Sequence, residues 1–276
     1  MKIMQSVTQL REALAGQTSV GFIPTMGFLH EGHASLLEQA RQENDIVVLS
    51  IFVNPTQFGP NEDLDRYPRD EQRDQQLAQA AGVDYLFYPT NDVMYPLDMA
   101  RVTVRSGDDV LCGTSRPGHF DGVLTVVSKL FNIVQPTRAY FGLKDAQQLA
   151  LIEGYVTDYF VPVEIKRCPI IREADGLAKS SRNVYLSETE RKQAPGIQQA
   201  LQQAKQALDA GTPLETVLEQ TRASLHFEGT TIDYVEAVAY PTLGPVDATT
   251  DTILLAVAVQ FESARLIDNL LYTRGA

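Results

Sequence analysis

A chain of 276 residues with 44% hydrophobic and 21% charged residues, and no biased tract, can supply a larger and a smaller domain, each with its own core. A formal net charge of -12 excludes nucleic acid and an anionic membrane as main partners, because long-range repulsion opposes both; an anionic ligand needs a local cluster of cations. No run approaches the roughly 20 apolar residues that span a bilayer, and Met1 to Ser6 lacks the apolar centre of a signal peptide, so the expected location is cytoplasmic.

Val20-Gly21-Phe22-Ile23 reads as the first core strand, followed by a helix from about Ser35 to Asn44. Ile46 to Val53 is a continuous apolar run of the kind found in strands buried on both faces, and Pro55 ends it. Arg69 to Ala81 and Val123 to Val134 have helical spacing, Tyr85 to Tyr88 and Ala139 to Phe141 read as strands, and a helix from about Asp145 to Val156 leads to a strand at Val163 to Arg167. This alternation predicts an α/β fold, a Rossmann-like parallel sheet over residues 1–175. Then comes a polar loop, Arg172 to Asn183, and a smaller α+β domain acting as a lid over residues 176–276. In it Ser187 and Glu190 have capping-box spacing, Gly211 stops a helix, and Thr212-Pro213 starts the next. Ile232 to Ala239, Ile253 to Val259 and Arg265 to Ile267 read as its strands. Cys112 and Cys168, only two and widely spaced, suit reduced thiols better than a disulfide or a zinc site.

Gly27 to His33 follows a strand and opens a helix, the place where open α/β sheets bind ligands. Two histidines three apart can face one side of the turn, and backbone N–H groups at a helix start suit a phosphate. A structural turn with two surface histidines fits His-x-Gly-His equally well. Metal binding fits less well, since His119 and His226 are the only other histidines and no third ligand is evident. Asn54 and Gln57 put two primary amides after a core strand, and Gln57 can donate and accept towards a hydroxyl or carboxylate. Arg116-Pro117-Gly118-His119-Phe120 reads chiefly as a turn before a helix. Lys144 can meet a phosphate, Asp145 can cap a helix or hold a ribose hydroxyl, and Gln148 lies on a compatible face. Lys179-Ser180-Ser181-Arg182 sets two hydroxyls between two cations at the domain junction, a clamp for a leaving pyrophosphate or else a solvated loop.

Together, Pro24 to Gly27 with His30-Glu31-Gly32-His33, Phe52 to Phe58, Arg116 to Phe120, Phe141 to Asp145 with Gln147-Gln148, and Ser180 to Asn183 closely resemble the pantothenate synthetase family, within the adenylyl-transferring superfamily marked by His-x-Gly-His. The resemblance implies ATP-dependent condensation of pantoate with β-alanine through pantoyl adenylate, with Mg²⁺ accompanying the nucleotide and a homodimeric assembly. It implies that Met26, Gly27, Phe28, Leu29, His30, Glu31, Gly32, His33, Gly142, Leu143, Lys144, Asp145, Ile171, Lys179, Ser180, Ser181 and Arg182 line the ATP site. His33 takes the proton-donor position, with His30, Lys144, Ser180, Ser181 and Arg182 also catalytic; Gln57 and Gln148 hold pantoate, and Gln57 also meets β-alanine. Three positions depart from the family pattern: Lys179 stands where Met or another apolar residue is expected, Leu143 where Glu is, and Thr56 where Met is common. A nucleotidyltransferase acting on a phosphorylated acceptor shares His-x-Gly-His but calls for more Arg or Lys in place of paired amides, and a nucleotide sensor without turnover is a further alternative.

Overall fold

The structure, a computed structural model, describes residues 1–60, 62–97 and 99–275. The chain divides into two compact units. The first comprises Met1–Ser106, Arg116–Leu143 and Leu151–Pro169; the second comprises Gly107–Ser115, Lys144–Ala150 and Ile170–Ala276. The long run of the second unit starts close to the break expected at 175, but two earlier segments join it.

In the first unit the strands are β1 (Lys2–Met4), β2 (Val20–Thr25), β3 (Ile46–Ile51), β4 (Tyr85–Phe87), β5 (Arg138–Gly142) and β6 (Glu164–Cys168), and its helices include α1 (Val7–Leu14), α2 (Glu31–Glu43), α3 (Glu71–Ala80), α4 (Asn91–Met94) and α6 (His119–Val134). The strands form one parallel sheet in the order β1-β4-β3-β2-β5-β6. Helices cover both faces, which is why β3 is apolar except for the buried Ser50. Ile23, Leu37, Leu49, Leu86 and Tyr140 pack on one face, while on the other Phe131 of α6 meets Phe22 and Phe141 edge-on, at 6.4 Å between ring centres in each case. β2 and β5 are neighbours from which the chain departs in opposite directions, so the switch point of the sheet lies at their carboxyl ends. Pro24 lacks an N–H, and the pairing of β2 with β5 stops at Phe22, before the proline is reached.

The second unit holds α5 (Leu111–Ser115), the start of α7 (Ala146–Asp158), α8 (Glu188–Gln193), α9 (Gly196–Asp209), α10 (Leu214–Ser224) and the antiparallel sheet β7 (Thr231–Ala239), β8 (Thr252–Gln260), β9 (Arg265–Thr273). Ile197, Leu201 and Val217 from the helices bury Leu255, Val257 and Val259 of the central strand. The Ser187–Glu190 capping box forms as expected, but α10 begins after Pro213, which occupies the N-cap position and makes no side-chain cap bond. Three differences from the sequence reading have local causes. β1 and α1 went unread, the strand because it is three residues long and mostly exposed. α2 begins at Glu31, not Ser35, because His30 itself supplies the cap. β9 runs on to Thr273, not Ile267, as its residues pair fully with β8.

Candidate functional site

The turn between β2 and α2 is shaped by two left-handed residues, Gly27 (φ 86°) and Phe28 (φ 51°). A side chain at Gly27 would stand 2.9 Å from Ile51 Cγ2, so the turn requires glycine for space as well as for φ. Its N–H groups are held by side chains of β2 and α3. Gly27 donates to Thr25 Oγ1 at 3.3 Å, and Phe28 and Leu29 donate to the two carboxylate oxygens of Asp74 at 2.7 and 2.6 Å. Burial pushes the Asp74 carboxyl above its ordinary range, although the N–H groups of Leu29 and Phe28 oppose that shift.

The two histidines cap α2 reciprocally. His30 Nδ1 accepts from Gly32 N at 3.1 Å, His33 Nδ1 accepts from His30 N at 3.2 Å, and the rings lie 4.1 Å apart. Because both Nδ1 atoms act as acceptors, each neutral imidazole carries its proton on Nε2. The N–H groups of Gly27, Phe28, Leu29, His30 and Gly32 are engaged by Thr25, by Asp74 of α3 and by the two imidazoles, and Nε2–H is the donor of each neutral ring.

Gln57 lies in a 3-10 turn, Pro55–Gln57, and is buried. Its Nε2 meets Met26 Sδ at 3.1 Å, and its Oε1 accepts from Asn54 Nδ2 at 3.0 Å. Asn54, 1% exposed, also donates to Gly122 O and accepts from Tyr95 OH at 2.7 Å. The Gln57 backbone is held from α6: His119 Nδ1 lies 2.8 Å from Gln57 O, which can only accept, so Nδ1 carries the proton and Nε2 accepts from Arg116 at 3.0 Å. Arg116 forks onto Glu62 at 2.7 and 2.6 Å, and this guanidinium outweighs burial to hold the Glu62 carboxyl below its ordinary range. Arg116 and His119 thus help to hold Glu62 and the Gln57 backbone. Gly122 permits the approach, since a Cβ there would meet Thr56 O at 2.3 Å.

In the second unit, Lys144 and Asp145 lie in a 3-10 turn, 3.8 Å apart at their charged ends. Lys144 O accepts from Asn269 Nδ2 at 2.9 Å, and the adjoining Asp268, 3% exposed, takes both arms of Arg172 at 2.6 and 3.0 Å. β9 thus anchors both the Lys144 turn and a hairpin in which Arg172 pairs with Ala178 and Lys179 N donates to Ile171 O. Ser180 caps the 3-10 turn Ser181–Tyr185 by accepting from Arg182 N. Lys179 Nζ is 2.7 Å from Glu173, so the extra cation arrives with a local counter-charge. The two glutamines of α7 separate clearly: Gln147 is fully used, accepting from Cys112 N and donating to Gly107 O and Val110 O, whereas Gln148 is half-buried.

The expected site residues thus divide. Met26 to His33, Gln57, Gly142 and Leu143 belong to the first unit, and Lys144, Asp145, Gln148, Ile171 and Lys179 to Arg182 to the second. The family model for pantoate-beta-alanine ligase matches residues 2–271. The chain belongs to the pantoate–β-alanine ligase family. A pantothenate synthetase of Exiguobacterium sp. is 68% identical over 276 residues, covering 100% of both chains, and one of Bacillus cereus is 56% identical, covering 99% of each. The crystal structure of pantothenate synthetase from Thermus thermophilus superposes with a TM-score of 0.94 at 48% identity, covering 98% of this chain and 99% of that one. A pantoate-β-alanine ligase from Francisella tularensis, solved with β-γ ATP and β-alanine, gives 0.82 at 38% identity, covering 98% and 97%. Within this ligase family fold, Asp74, Asn54 as an anchor, Tyr95 and Gly122 support the site without having been singled out for those roles; only Gly122, a glycine inside a helical run, leaves a readable trace in the sequence.

Proposed function

We infer that this chain is an ATP-dependent ligase joining pantoate to β-alanine through a C–N bond. The observation that carries the site assignment is the interlocked cap of His30 and His33, which makes Nε2–H the donor of each ring beside a turn tied to Gln57 through Met26. Membership of the ligase family over residues 2–271 supports the substrates.

In the first step an oxygen of the pantoate carboxylate attacks the α-phosphorus of ATP, the bond to the β-phosphate oxygen breaks, and pyrophosphate leaves. A carboxylate is already nucleophilic, so alignment and stabilisation of the growing negative charge dominate. His30 and His33 donate to phosphate oxygens, and Lys144, Ser180, Ser181 and Arg182 supply further donors and cations to the same nucleotide. Met26 to His33, Gly142 to Asp145, Ile171 and Lys179 to Arg182 complete the ATP assignment. Gln57, held rigidly by Asn54, and the half-buried Gln148 bind pantoate; Gln57 also meets β-alanine. In the second step the neutral amine attacks the acyl carbon, the C–O bond to AMP breaks, and the amine proton passes to solvent or a phosphate oxygen.

Among the described residues no group of three or more His, Cys, Asp or Glu is placed to hold a metal ion. Mg²⁺, carried in with the nucleotide, would help to neutralise the charge on the leaving pyrophosphate. The same reading takes the enzyme as a cytoplasmic homodimer; no helix of the described residues is long and apolar enough to cross a membrane. A phosphorylated acceptor is disfavoured by Asn54 and Gln57, which are neutral amides, and by Arg116, which is engaged with Glu62.

Purified protein with ATP, Mg²⁺, pantoate and β-alanine is expected to release AMP, and to release pyrophosphate only when pantoate is present. His33→Ala should lower that release on the order of 100-fold, the usual effect of removing one preorganised donor. Near-normal turnover in the folded variant would remove His33 from the mechanism.

A further inference from the structure

Asp74 lies on α3, outside every motif of the ligase family quoted above, and its charge is buried at 2% exposure. A carboxylate of that burial in a stable helix needs full hydrogen-bond compensation. Two consecutive N–H groups, Phe28 and Leu29, one on each oxygen, supply part of it and offset burial without cancelling it. The neighbouring residue reinforces the contact, with the Arg73 guanidinium 5.2 Å from the centre of the Phe28 ring.

Packing alone does not fix this turn. A cavity of about 200 Å³ borders it, lined by Met26, Gly27 and Phe28 on the turn and by Arg69, Asp74 and Tyr88 opposite. Phe28 also holds a left-handed backbone that a non-glycine residue adopts only under constraint. The tie to Asp74 lies immediately before the cap that sets both imidazoles. We propose that Asp74 is a positioning residue for nucleotide binding: through the N–H groups of Phe28 and Leu29 it sets the turn that orients His30 and His33, without touching ATP itself. This rests on the assignment of the turn to ATP.

Asp74→Asn tests it. The amide keeps the size of the side chain but turns an N–H towards one of the loop N–H groups. Expected are a rise in KM for ATP on the order of tenfold, roughly the loss of one net hydrogen bond, a KM for pantoate within about twofold of the parent, and faster hydrogen exchange at Phe28 and Leu29. A folded Asp74→Asn enzyme with faster exchange and unchanged KM for ATP would overturn the proposal. If that variant does not fold, Gly27→Ala replaces it: its Cβ would sit 3.0 Å from Asp74 Oδ2 at a φ of +86° and so push the turn off the carboxylate. The same ATP-selective loss is expected, and its absence overturns the proposal. His33→Ala, run in parallel, should lose pyrophosphate release with unaltered exchange at Phe28 and Leu29. Normal turnover there would overturn the nucleotide assignment itself, an outcome separable from a failure of Asp74 alone.

Discussion

The two units hold their functional loops by different means. In the first, Gly27 to His33 and Asn54 to Gln57 are fixed mainly by hydrogen bonds among backbone N–H groups, imidazoles, amides and the Asp74 carboxylate, with Asn54 and Asp74 almost wholly buried and one ion pair, Arg116 with Glu62, behind His119. In the second, the hairpin around Ile171 to Lys179 is fixed by ion pairs: Arg172 with Asp268, Lys179 with Glu173 and Arg191 with Asp175. Short-range bonds in a dry setting lock a geometry and ignore salt, whereas partly solvated charge pairs are weaker and screened. On the proposed assignment, the first arrangement suits groups that must aim at a reacting phosphorus. On the same assignment, the second suits a loop that meets a highly charged leaving group and whose own charges must tolerate its arrival and departure.

Asp268→Ala should have the largest effect on this contrast, because it strands Arg172 and removes the anchor next to Asn269. A loss of about 3 kcal/mol is expected, at the lower end for a broken buried pair since Arg172 is partly exposed. Hydrogen exchange should show the loosening in peptides of the second unit. Equal loosening of β2 and β3 would mean that the units are not separately stabilised.

Gly122→Ala probes the first unit by steric means. The added methyl meets Thr56 O, so despite its better helix propensity the variant should lose about 1–3 kcal/mol. It should also raise KM for pantoate through Gln57 while leaving KM for ATP nearly unchanged. A parallel rise in both would show that the amide turn and the histidine turn move as one.

The smallest expected effect is on acid stability and concerns Glu190. Burial opposes its ionisation, but bonds from Ser187 N and from Ser263 N and Oγ outweigh this and hold the carboxyl at about 2, below its ordinary 4.5. A depressed value stabilises the folded form in full above pH 4.5, and that contribution fades as pH falls towards 2. Glu190→Gln should therefore flatten the dependence of Tm on pH in that window. A curve identical to the parent would assign acid lability elsewhere.

Much of this was legible in the chain. The apolar run Ile46 to Ile51 announced a strand covered on both faces, and Ser187 with Glu190 announced a helix start. His30 and His33 could be read as a ligand turn because a glycine separates them after a core strand. Asp74 could not, for it sits in Glu71-Gln72-Arg73-Asp74-Gln75-Gln76, a stretch whose composition is that of a solvated face. Which polar residue of such a helix turns inward depends on a partner 46 residues away along the chain, and no periodicity encodes that. The discontinuity of the second unit was hidden for the same reason: Leu111 N reaches Glu236 across a separation of 125 residues.

The reciprocal cap of His30 and His33 also bears on how this segment can change by mutation. Both rings accept from backbone N–H groups of the same helix start and lie 4.1 Å apart, so the losses on replacing them are not expected to add. In a randomised library selected for growth that depends on pantoate ligation, the two histidines and Gly32 should be recovered together.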